Sequence, residues 1–71
     1  MDVPSLKAIV TSGGSVVVSA NNYDVPGLKA IATVGKGLNC NLVIKNANKL
    51  DVPSCKAIAS CNPGHVIFDF T

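Results

Sequence analysis

With 71 residues, 48% of them apolar and 14% charged, the chain has material for one small core and falls in the globular class, not the disordered one. Its net charge of +2 comes from six Lys and four Asp, with no Arg, Glu or Gln, so the bidentate fork that grips phosphate or carboxylate is missing. Apolar runs reach only three or four residues, as at 16–18, against the roughly 20 of a membrane-spanning helix. Met1-Asp2 opens without a basic leader, so the expected location is cytoplasmic, with no membrane partner.

The first element opens with Asp2-Val3-Pro4-Ser5-Leu6-Lys7-Ala8-Ile9. The same pattern returns as Asp24-Val25-Pro26-Gly27-Leu28-Lys29-Ala30-Ile31 and as Asp51-Val52-Pro53-Ser54-Cys55-Lys56-Ala57-Ile58, at spacings of 22 and 27 residues. The chain is therefore one domain, 1–71, made of repeats 2–23, 24–50 and 51–71. Each repeat begins as a helix: an Asp to cap free backbone N–H groups, then a Pro in the first turn, where its missing N–H costs nothing. Leu6 and Ile9, Leu28 and Ile31, and Cys55 and Ile58 fall three apart and mark an inward face. Lys7, Lys29 and Lys56 point to solvent. Gly13, Gly35 and Asn62, the last followed by Pro63, stand where each helix stops in a left-handed turn.

After each stop comes a β-branched run, at 15–20, 41–46 and 65–70, with period-2 alternation in Val16/Val18, Leu42/Ile44 and Val66/Phe68/Phe70. Leu38 and Cys40 continue the inward alternation backwards and admit an earlier start for the second strand, where most of the middle repeat's five extra residues lie. Strict alternation of helix and strand predicts an α/β fold. Three tandem helix-strand repeats form a parallel three-stranded sheet, ordered 1-2-3, with helices on one face as in a short solenoid.

Read from strand into helix, the residues run Val16-x-Val18-x-x-Asn21-x-Tyr23-x-Val25-Pro26-x-Leu28, then Leu42-x-Ile44, Asn48, Leu50, Val52-Pro53. This resembles a leucine-rich repeat. The resemblance implies a curved solenoid whose strands line a protein-binding face. Asn48 is out of step with Asn21, and Cys55 replaces a Leu. A looser βα-repeat relative, such as a small bacterial or phage protein, fits the same residues.

With the inward residues on the helices, Val17 and Ser19, Val43 and Lys45, and Ile67 and Asp69 lie on the opposite sheet face, which carries an apolar row of Val17, Val43 and Ile67. Parallel sheets are normally covered on both faces. Repeat arrays also use polar end caps, and none is evident beside the first or third strand. The apolar edge 65–70, with Phe70, is placed to pair with its twin in an isologous dimer. The expected function is therefore that of a non-enzymatic protein-interaction or self-assembling module, homodimeric, binding through the open face and the edge strand. The alternative is a small inhibitor or regulator docked on a cellular enzyme or nucleic-acid machine.

Chemistry is sparse. Three of the four Asp are used as caps. Cys55 takes a Leu position and is expected in the core; Cys40, Cys61 and His65 lie near adjacent helix-to-strand connections, which raises a zinc set, a disulfide or a Cys–His pair, with inert thiols favoured over all three. No cofactor, metal or catalytic residue is assigned. The Lys row lacks Arg, and of the aromatics Tyr23, Phe68 and Phe70 two are expected to be buried, so nucleic acid is not expected as a partner.

Overall fold

The structure is a computed structural model that describes residues 1–70. Its elements are α1 (Val3–Thr11), β1 (Val16–Ser19), α2 (Val25–Gly35), β2 (Leu42–Lys45), a 3₁₀ turn at Ala47–Lys49, α3 (Val52–Cys61) and β3 (Val66–Phe68). The strands are parallel in the order β1-β2-β3, and α1, α2 and α3 lie side by side against one face.

Each helix starts for the same local reason. Asp2, Asp24 and Asp51 have extended backbones, and their Oδ1 atoms accept the N–H of Ser5, Gly27 and Ser54 at 3.0, 3.0 and 2.9 Å. Hydrogen bonds from Ser5 and from Ser54, side chain first and backbone second, hold the Asp2 and Asp51 carboxyls below their ordinary value of 3.8. A carboxyl lowered in the fold contributes stability above its unfolded value and loses it as the pH falls through the folded one. Stability should therefore decline below about pH 4. The double variant Asp2→Asn/Asp51→Asn, which caps without titrating, is expected to flatten that decline in acid titrations followed by circular dichroism. An unchanged acid limb would place its origin elsewhere.

The helix ends differ from one another. After α1 the N–H of Gly13 bonds to Val10 O and that of Gly14 to Ile9 O, with Gly13 at φ +100°, a closed left-handed cap. The expected stop at Gly35 is corrected: Gly35 is still helical, and positive φ falls at Gly37 and Asn39. Gly35 answers to packing, since a Cβ there would lie 2.9 Å from Asn62 Nδ2 and 3.3 Å from Val10 Cγ1. Asn62 is likewise not left-handed, with φ at −150°; Gly64 takes that conformation. The Asn62 side chain is instead buried and donates through Nδ2 to the carbonyl of Cys40 at 3.1 Å.

The core sits between sheet and helices, with Leu28, Ile31, Ile44 and Ile58 fully enclosed. Several inward expectations shift. Ile9 is 39% exposed, and Val10 takes its place in the core. Cys55 is only half-buried. Leu38 is exposed while Cys40 is buried, and the second strand begins at Leu42, so the inward alternation does not extend back to Leu38. Relative to the first repeat, two of the middle repeat's five extra residues lengthen α2, two lengthen the loop between α2 and β2, and one lies between β2 and α3.

Candidate protein-binding surface

The strand register aligns Val17 with Val43 and Val43 with Ile67, so the apolar row crosses all three strands as one line. Val17 is 62% exposed and Ile67 51%, with Val43 half-buried between them. Among the described residues no element covers this face. Ser19 and Lys45 pair one step further along; Lys45 is exposed, while Ser19 Oγ accepts from Asn46 Nδ2 at 2.9 Å and from the N–H of Asn21 at 3.1 Å. That contact comes from Asn46, held left-handed at φ 57°, not from Asn48, which is exposed in the 3₁₀ turn. Asp69 is half-buried, and its backbone extends the pairing beyond β3, donating to Ile44 O and accepting from Ala47 N–H.

Phe70 lies beyond β3 and is exposed; its ring stacks on Phe68 with centroids 6.2 Å apart. Tyr23 and Phe68 are half-buried, so the burial expected for two of the aromatics is corrected to partial cover. Phe68 lies on edge strand β3 and Tyr23 beside the opposite edge strand β1, where no further strand covers them among the described residues.

At the opposite edge, a groove of about 530 Å³ follows β1, lined by Met1, Leu6, Ile9, Val16, Val18 and Tyr23 among others. The Tyr23 hydroxyl donates to the Met1 carbonyl and closes one end of it. Sequence reading did not find this groove. Its one signal was Ile9, an apolar residue in step with Ile31 and Ile58 on a helix that has no predicted neighbour on one flank; the Met1–Tyr23 bond had none.

The thiols and the histidine are engaged locally. Cys40 Sγ donates to the carbonyls of Val10 and Leu38 at 3.6 Å, and Cys61 Sγ to Ala57 O at 3.3 Å. All three cysteines are free thiols. Partial burial, then the neighbouring Asp51 carboxylate, push the Cys55 thiol upward, away from the thiolate. His65 Nδ1 donates to Asn41 Oδ1 at 3.0 Å, and the Asn41 N–H donates to Ser15 Oγ at 2.9 Å, so side chains tie together the starts of all three strands. Among the described residues no three of the His, Cys and Asp side chains come together as a metal site.

Fold and surface define an α/β repeat protein of three helix-strand units with one apolar sheet face open. No protein-family model, curated protein or solved structure matches the chain. No described helix is long and apolar enough to cross a membrane.

Proposed function

We propose that this chain is a non-enzymatic protein-binding module that engages a protein partner, a second copy of itself included, through the open sheet face and the edge strands. The observation that carries this reading is the in-register row of Val17, Val43 and Ile67 on the uncovered face of a parallel sheet. Covering such side chains releases about 1.5–3 kcal/mol each, which is large against the few kcal/mol that hold a domain this small together. One-sided parallel strands backed by helices also support the leucine-rich-repeat-like reading, in which the strand face receives the partner.

Light scattering over a dilution series tests it, with wild type beside Val43→Asp and Val17→Asp, each checked for folding by circular dichroism. The expected result is a wild-type mass that rises with concentration and folded variants that stay at 7.3 kDa. Variants that keep the wild-type mass profile would remove the face from the reading. A wild type at 7.3 kDa throughout would remove self-association and leave a foreign partner, with the docked regulator as the surviving form.

A further inference from the structure

The three helices share one pattern, yet their equivalent residues are buried unequally, and the inequality has a direction. Ile31 of α2 is 1% exposed and Ile58 of α3 0%, whereas Ile9 of α1 is 39% exposed. Ile9 lines the groove beside β1, and α1 has no helix on that flank among the described residues. The position one residue later behaves oppositely. Val10 of α1 and Ala32 of α2 are buried, while Ala59 of α3 is only half-buried; Leu6 and Leu28 are buried, while Cys55 is half-buried. Val10 faces the following repeat, its Cγ1 standing 3.3 Å from where a Cβ on Gly35 would lie. In the sheet, Leu42 and Ile44 of the central strand are buried, as is Val18 of β1, while the outer Val16, Val66 and Phe68 are half-buried. One end of the stack thus shows an uncovered forward-facing surface, and the other an uncovered backward-facing surface of the same design.

We infer that the chain associates head to tail: the β3–α3 end of one copy seats in the β1–α1 groove of the next, continuing the repeat across the junction. The inference rests on the self-association part of the reading above and specifies its geometry. The junction repeats an interface already present twice within the chain. All strands are parallel, so β3 meets β1 of the next copy in the sense that β1 meets β2. Continuing the register places Val66 beside the next copy's Val16, Ile67 beside Val17 and Phe68 beside Val18. Phe70, stacked on Phe68 and exposed, then reaches the Met1–Tyr23 end of the groove. Ile9 becomes enclosed as Ile31 and Ile58 already are. Such contacts are heterologous: the two surfaces are different, so association continues into a chain or closes as a ring instead of stopping at a symmetric pair.

The test uses two variants that each block one end and leave the open face unchanged. Ile9→Lys places a charge at the β1–α1 end, and Ala59→Lys places one at the β3–α3 end; both positions are partly exposed in the single chain, so folding is retained and is checked by circular dichroism. Each variant alone is expected to run at 7.3 kDa by light scattering, and an equimolar mixture to form a complex of roughly twice that mass, because each chain supplies the end the other lacks. If either variant alone still self-associates as wild type does, the head-to-tail geometry is wrong. Loss of that self-association in Val43→Asp, on the central strand of the open face, would then assign it to the sheet face. If the mixture stays at 7.3 kDa, the two ends do not recognise each other, and binding of a foreign protein by the open face is untouched by that result.

Discussion

Replacing Ile44 by Ala is expected to lower the unfolding free energy by about 2–5 kcal/mol, the range for a buried branched side chain cut back to a methyl group. Ile44 is fully buried in the central strand, between Val18 and Phe68 in the sheet and beneath the helices. Removing its outer carbons forfeits transfer energy and leaves a hole that the neighbouring strands cannot close without breaking their ladders. A chain of 71 residues has a total stability of roughly 4–11 kcal/mol, so this single change removes a large share of it. Urea denaturation reads the effect. With a slope near 1 kcal/mol per molar, the midpoint should fall by about 2 M or more, while Val17→Ala on the open face should shift it little. Equal shifts for the two would mean that the core is not where burial places it.

Asn62→Asp is expected to cost about 3 kcal/mol at neutral pH, although the two side chains are nearly the same size. The Asn62 Nδ2 donor faces the Cys40 carbonyl in a buried site; a carboxylate there turns a hydrogen bond into two opposed acceptors and buries a charge. Such a carboxyl has its folded value raised above the unfolded one. The penalty is therefore complete above the folded value and fades as the pH falls toward the unfolded value, where the protonated group again donates to Cys40. The gap between variant and wild type should narrow in acid, measured as the difference in urea midpoints at several pH values. A gap independent of pH would show that the loss comes from shape and not from charge.

Much of this architecture was legible because its signals are local. An Asp two residues before a Pro and four before an apolar residue specifies a helix start from its own backbone needs, and all three starts are found at the expected residues. Period-2 runs placed the strands, and with them the Val17–Val43–Ile67 row, because facing alternates within a strand whatever lies outside it. What escaped depends on neighbours. Ile9 and Cys55 match the inward pattern but belong to outer helices that lack a neighbour on one side, so repeat position alone misjudged their burial. Gly35 and Asn62 carry turn-forming identities, yet both are used where α2, α3 and the entry to β2 crowd together. No spacing rule marks such a three-way contact. The groove beside β1 escaped for the same reason, since Met1 and Tyr23 meet only in the folded chain.

The three helices all begin at the same end of the molecule, each with its own Asp cap. Their peptide dipoles therefore lie parallel, an arrangement in which like poles sit side by side and repel, each start carrying about half a positive charge. The carboxylates at Asp2, Asp24 and Asp51 invert that sign locally, so one rim of the molecule becomes a row of anionic points separated by the width of a packed helix, about 8–10 Å. That distance is close to the screening length of about 8 Å in physiological salt. Ordinary ionic strength thus decouples the row, whereas dilute buffer lets its members repel, and lengthening the stack lengthens the row in proportion. Salt is in this sense a structural component of any long array built from this unit.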